Sequence, residues 1–457
     1  MPIALEVVPM LSLRKLLDLQ DWRLRLRAPS GRSHRSPNIT RRAPRSTTIH
    51  RLLFERLEDR LLLAKTVLPS ITAGTPAPSS HSLTLNGSAA DDRVSIDLAA
   101  GVVTGAVGGI ASLGGVEQLT VNGSGATGGD TINVIGLGSP TSLETITITA
   151  NGNAGDTLVV VGTAGPDTIN FSATSASAGK LTILDDALVL TYANLTGTLT
   201  VDGGASGFDV LMVLGTEAAD IVATPSGASV TLAGTINFNP TIDRLDILTL
   251  GGDDIVTLID GIIVPVIVDA GTGIDFVDAS EAATGVTIRG GDGDDILTGG
   301  GFSDWIDGGR GNDLVEGGPG TDTVLGGEGD DSISGGTEDD QIFAGDGSDQ
   351  IAWATGEGSD LVVGEDGSDV LQFTIDSGSI TASASGVRVQ LTDGEATLSI
   401  AGTEQLELVE EWDFTGPVTI NDLFGTGVRR VNVDVADREL DTITVNGRSI
   451  ADNLSIT

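Results

Sequence analysis

The chain has 457 residues, of which 64 are Gly and 64 are Asp or Glu against 24 Lys or Arg, a formal net charge of −40. It has no Cys and three His, the last of them His81, which excludes disulfides and thiolate sites, and any His-based triad or zinc centre in the body beyond residue 81. So acidic a chain is a poor partner for nucleic acid, which needs clustered Lys and Arg, while its 39% apolar content is enough to fold.

Residues 1–65 differ from the rest, with 14 Lys/Arg against 6 Asp/Glu; the remainder holds 10 basic and 58 acidic residues. Residues 11–27 (LSLRKLLDLQDWRLRLR) read as a short basic amphipathic helix, and the Arg-, Ser- and Pro-rich 28–47 as disordered. The stretch from Phe54 to Ala64 has no longer apolar run than Leu61 to Ala64, too short for an ordinary secretory signal or a membrane span. Leu57, Glu58, Asp59, Arg60, Leu62 and Leu63 follow the pattern L-E-[PD]-R-x-L-L, so the segment resembles the LEPR-XLL type of N-terminal motif. That resemblance implies export, with 1–65 as an export or sorting segment and 66–81 as a linker.

From residue 82 to 265 a loose phrase recurs: Gly, four residues, Asp, one residue, then an apolar–x–apolar strand. It occurs at Gly87 to Asp92, Gly162 to Asp167 and Gly215 to Asp220, and once more at Gly447 to Asp452. Thr, Val and Ile alternate in TINV, TLVVV and KLTILDDALVLTY (180–192), as strands require. The spacing predicts degenerate β-solenoid or β-sandwich-like coils. The Asp residues here are read as turn caps, through Asx hydrogen bonds, in preference to metal ligands.

A stricter register governs 266–375. Seven nonapeptides fill 290–352 without a gap, from GGDGDDILT to AGDGSDQIA. After the insertion of Trp353 and Ala354 come TGEGSDLVV and GEDGSDVLQ, and an earlier unit, AGTGIDFVD, stands at 270–278. Gly at the first, second and fourth places builds a tight turn. The eighth place is aliphatic in all nine units from 290 to 372, Leu297 to Leu371. Each unit is expected to be a six-residue turn and a three-residue strand with one inward side chain. Two units make a coil, so units i and i+2 stack at roughly 4.8 Å, a repeat architecture of parallel β-roll type.

The sixth place is always Asp: Asp295, Asp304, Asp313, Asp322, Asp331, Asp340, Asp349, Asp360 and Asp369, with Asp275 in the earlier unit. Stacking brings like carboxylates to about 5 Å, which costs about 3 kcal/mol per unscreened pair at an effective dielectric near 20. Residues 290–372 hold 21 Asp/Glu and a single basic residue, Arg310, so protein cations cannot relieve the repulsion, and a hard divalent cation can. Carboxylates plus turn carbonyls form an oxygen cage that suits Ca²⁺ better than Mg²⁺. The register matches G-G-x-G-x-D-x-U-x and so resembles the haemolysin-type calcium-binding (RTX) repeat family, which implies a Ca²⁺-filled β-roll, disordered without metal and usually secreted. Phe302 and Glu338 replace the fourth-place Gly, Ala344 and Thr355 the first, and Glu365 the second, so five to seven filled sites are expected. Trp305 and Trp353 are read as packing at the roll's flank or insertion in preference to a ligand platform.

Residues 376–457 resume the β pattern and read as a C-terminal module, with GTEQLEL (402–408) echoing GVEQLTV (115–121) and a last phrase that looks like the opening of a further module. Taken together, the expected architecture is all-β: a parallel roll flanked by degenerate coils behind a disordered or helical basic N-terminus. The expected function is that of a calcium-binding, exported structural or adhesive surface protein, with cell-surface or matrix polysaccharide or protein as its partner. An alternative is a polysaccharide lyase or epimerase, but residues 82–372 offer only Arg93, Lys180, Arg244, Arg289, Arg310 and Tyr192 for that chemistry. The other is a calcium-dependent secretion module. No catalytic constellation is visible, and an enzyme is not expected.

Overall fold

The computed structural model describes residues 72–73, 81–87, 92–105, 109–123, 129–139, 142–152, 155–183, 188–226, 229–259, 261–375, 380–385, 388–393, 397–410, 417–421, 423, 426–434, 443–446 and 453–456. The expectations for 1–65, for most of the linker and for Asp452 lie outside these residues. The chain divides into Met1–Thr66 and Val67–Thr457, and the described residues belong to the second unit. All their regular structure is strand.

Alternating apolar residues make the strands, and each coil contributes one strand to each of two sheets. In the first sheet, Val210–Thr216, Arg244–Leu250, Val266–Thr272, Val286–Asp292 and Trp305–Arg310 pair in parallel, one coil after the next. In the second, Ile255–Leu258, Phe276–Asp278, Ile296–Thr298 and Leu314–Pro319 do the same. The same parallel pairing links Ser82–Asn86 to Gln118–Asn122 and Arg430–Asp434 to Asn453–Ile456, so the modules flanking the roll are coils of solenoid type.

Among the described residues, four three-stranded antiparallel meanders interrupt the winding. One runs through Thr168–Ser175, Ala178–Ile183 and Val189–Ala193; its last strand lies parallel to Thr145–Thr149 and its first parallel to Val210–Thr216. Meanders of the same kind occupy Arg93–Ser112, Ile221–Phe238 and Ile380–Ala401. The strand-like alternation over 180–192 falls on two strands, Ala178–Ile183 and Val189–Ala193.

The core is a single column of side chains. Many flanking strands bury two aliphatic side chains, such as Ile146 and Ile148 or Leu245 and Ile247. A nonapeptide rung buries its eighth-place aliphatic side chain, none of the nine more than 1% exposed, from Leu297 to Leu371. Full burial of each contributes about 1.5–3 kcal/mol. The rungs differ from expectation in length. Strands such as Thr323–Glu328 and Ser332–Thr337 span six residues, because pairing continues through the glycine pair, with Gly309 opposite Gly327 and Gly318 opposite Gly336.

Candidate calcium-binding edges

The sixth-place Asp residues sit where each turn enters a strand, and the two sheets give two edges. Along the edge entering the second sheet, each Asp N–H donates to Oδ1 of the Asp one coil further on. The chain runs from Asp220 to Asp254, Asp275, Asp295, Asp313, Asp331, Asp349 and Asp369, at 2.7–3.1 Å. The edge entering the first sheet is shorter. Val286 N–H donates to Asp304, and the steps continue to Asp322, Asp340 and Asp360 at 2.7–2.8 Å. The structure thus places all ten sequence-predicted residues in two ladders, five coils apart at most. Each of the ten is at most 4% exposed.

One carboxylate oxygen serves the ladder; the other decides the chemistry. Oδ2 has no hydrogen-bond partner in Asp254, Asp275, Asp295, Asp313, Asp331, Asp349 and Asp369 on the long edge, or in Asp322 and Asp340 on the short one. A buried oxygen left in this way costs roughly 1–3 kcal/mol, and more when charged. Asp304 and Asp360 differ: Oδ2 accepts Gly300 N–H in the first and the Trp353 indole N–H in the second.

Burial pushes these carboxyls above their ordinary range, and neighbouring carboxylates add to it. Asp340 is raised to about 8, between Asp322 and Asp360; Asp295, Asp322 and Asp331 to about 7; Asp275, Asp313, Asp360 and Asp369 to about 6. Asp254, Asp304 and Asp349 are raised for the same reason.

Turn carbonyls complete the oxygen set. At Gly311, with φ +133°, an added Cβ would lie 1.9 Å from the Gly293 carbonyl oxygen, so a fourth-place carbonyl projects from each turn onto the next. At Gly290, a Cβ would lie 2.4 Å from Asp295 Oδ2 and 2.5 Å from the Gly308 carbonyl oxygen. Glycine leaves open a cradle in which a partnerless carboxylate oxygen and a carbonyl oxygen converge. Among the described residues no three carboxylate or imidazole groups cluster on one point, so such a cation must take carbonyls as well as carboxylates. An all-oxygen donor set with flexible geometry fits Ca²⁺.

The family model of the RTX calcium-binding nonapeptide repeat, in 4 copies, matches residues 289–324, 316–351 and 354–372. Residues 289–372 are RTX repeats. RTX repeats bind Ca²⁺, and the partnerless oxygens are where these ones have carboxylate to offer. No curated protein matches the chain.

Sequence reasoning missed Asp254. It is the sixth residue of Thr249–Thr257, a unit in which Thr249 and Leu250 stand where glycines belong, and its step to Asp275 is 21 residues. Leu250 nonetheless keeps the glycine-like φ of 76°. Further from the roll, the Asp residues read as turn caps have protein donors on the second oxygen. Thr163 N–H reaches Asp167 and Thr216 N–H reaches Asp220, both at 2.6 Å, and Asn151 Nδ2 reaches Asp130 at 3.1 Å. Trp305 lies 5.1 Å beneath the Arg289 guanidinium in a cation–π contact, and Trp353 is buried, so both pack as expected.

Proposed function

We propose that this is an exported surface protein with a structural or adhesive role, whose roll folds when calcium takes the partnerless oxygens of Asp275, Asp295, Asp313, Asp322, Asp331, Asp340, Asp349 and Asp369. The row of buried, partnerless carboxylate oxygens carries the reading, because the protein supplies no donor for them and a cation would. Asp304 completes the short edge as a ladder acceptor. A cell interior poor in calcium leaves the acidic array unfolded, and millimolar calcium outside folds it. At a calcium concentration tenfold above Kd, each site adds about 1.4 kcal/mol.

The adhesive part rests on the outer face of the second sheet. Ile221, Ile255, Phe276, Ile296 and Leu314 stack in register across five coils, 67%, 42%, 39%, 40% and 49% exposed. A contiguous exposed apolar row of this kind marks an interaction surface. Among the described residues no helix is long and apolar enough to cross a membrane. Calcium titration of the full chain by calorimetry tests the reading. Several ions per chain with a gain of β signal support it, and no uptake at millimolar calcium ends it.

A further inference from the structure

The two ladder edges are not equivalent. Seven of the eight Asp residues on the long edge keep a partnerless Oδ2, whereas on the short edge only Asp322 and Asp340 do. At the C-terminal end of the short edge stands Asp360, 2% exposed, whose Oδ1 accepts Asp340 N–H at 2.7 Å and whose Oδ2 accepts the indole N–H of Trp353.

We propose that Trp353 seals this end of the short edge: its indole N–H holds the Asp360 oxygen that calcium takes at Asp322 and Asp340, so Asp360 is a metal-free latch. The inference rests on the calcium reading above and goes beyond it by removing one RTX aspartate from the metal.

The placement of Trp353 explains how. Ser334 pairs with Ala352, so the residue after each, Gly335 and Trp353, holds the same position in successive coils. At Gly335 an added Cβ would lie 2.5 Å from Asp340 Oδ2; this is the cradle that glycine leaves open beside the carboxylate. Trp353 fills the corresponding cradle beside Asp360 with an aromatic ring and a donor. The insertion of Trp353 and Ala354 lengthens the step from Asp340 to Asp360 to 20 residues, against 18 between Asp322 and Asp340. In Gln350–Ala354 the second inward place after Ile351 holds an indole, where nine-residue units hold glycine or, in Ala344, a methyl group. The indole is fixed from the far side by Phe373, the pairing partner of Trp353, with ring centroids 4.6 Å apart. A buried indole N–H needs an acceptor and a buried carboxylate needs a donor, and here each supplies the other.

Equilibrium counting of bound Ca²⁺ on the full chain tests this, using wild type, Asp340→Asn, Asp360→Asn and Trp353→Phe. Asp340→Asn is expected to lose at least one ion per chain. Asp360→Asn is expected to bind as many as wild type, because its side-chain oxygens hold no ion. Trp353→Phe keeps the stack on Phe373, removes the donor, and is expected to gain one ion. Loss of an ion in Asp360→Asn, or an unchanged count in a Trp353→Phe chain whose circular dichroism matches wild type, overturns the latch. If Trp353→Phe does not fold, Asp360→Asn alone decides. Failure of wild type to bind calcium removes the calcium reading and the latch with it, whereas loss in both Asn variants removes the latch alone.

Discussion

Replacing Asp331 with Asn separates the two jobs of a ladder carboxylate. Asn keeps an oxygen to accept the Asp313 N–H, bonded at 2.8 Å, and leaves the Asp331 N–H free to donate to Asp349 at 2.9 Å. It replaces the partnerless Oδ2 with an amide that repels a cation. Without metal, a carboxyl raised to about 7 from the ordinary 3.8 opposes folding at pH 7.5 by a few kcal/mol, and Asn removes that opposition. With metal, Asp331 lies between Asp313 and Asp349, so its loss touches the ions on both sides, about 3 kcal/mol of linked stability at a tenfold excess over Kd. The two effects have opposite signs, so at pH 7.5 the variant roll should show more β signal than wild type in chelator and should melt lower than wild type in calcium. Circular dichroism of the full chain, as a spectrum in chelator and a thermal melt in millimolar calcium, measures both. A variant with no more β signal than wild type in chelator and an unchanged Tm in calcium would refute the reasoning.

Three further outcomes follow from the same geometry. The metal-free roll should be stabilised by acid: its carboxyls are raised in the folded state, so their stabilising contribution is full below the ordinary carboxylate range and is lost as pH rises through about 6 to 8. Chelated protein should therefore gain β signal between pH 8 and pH 5, and a loss over that interval would reverse the sign assigned here. Gly329→Ala, where φ is +135° and a Cβ would lie 1.9 Å from the Gly311 carbonyl oxygen, should cost more than about 2 kcal/mol, whereas Gly301→Ala, with nothing within 4 Å, should cost little; equal melting shifts would discount the close approach of turns. Phe276→Ser combined with Ile296→Ser should weaken attachment to surfaces while leaving calcium uptake as it is, since both side chains sit on the exposed row; undiminished attachment would detach the adhesive role from that face.

What could be read from the residues follows from how strictly they repeat. Between Gly290 and Gln372 the nine-residue step fixes the rung, the inward aliphatic and the Asp ladder together, and one register satisfies all three. The same inference fails at Asp254, because the stack itself holds Leu250 at positive φ once the neighbouring coils are in place. It fails again at the meanders, whose strands have the same Thr and Val alternation whether they pair with the adjacent strand or with the next coil. Trp353 was legible as an insertion but not as a donor, since its meeting with Asp360 depends on the fold placing it at the inward position that Gly335 holds one coil earlier. The division of labour between the two oxygens of each Asp is likewise a three-dimensional fact: a carboxylate that stitches one coil to the next looks no different in sequence from one that only binds metal.

Regional hydrogen exchange on the intact chain tests the central claim most directly. In calcium, the amides of the described strands within 82–372 should be protected. In chelator at neutral pH, protection should vanish from 290–372, where seven of the nine ladder carboxylates keep an oxygen with no protein donor, and persist in 129–226, where Asn151, Thr163 and Thr216 supply one. Equal protection of the nonapeptide turns with and without calcium would show that the coil closes unaided, and the account would be wrong.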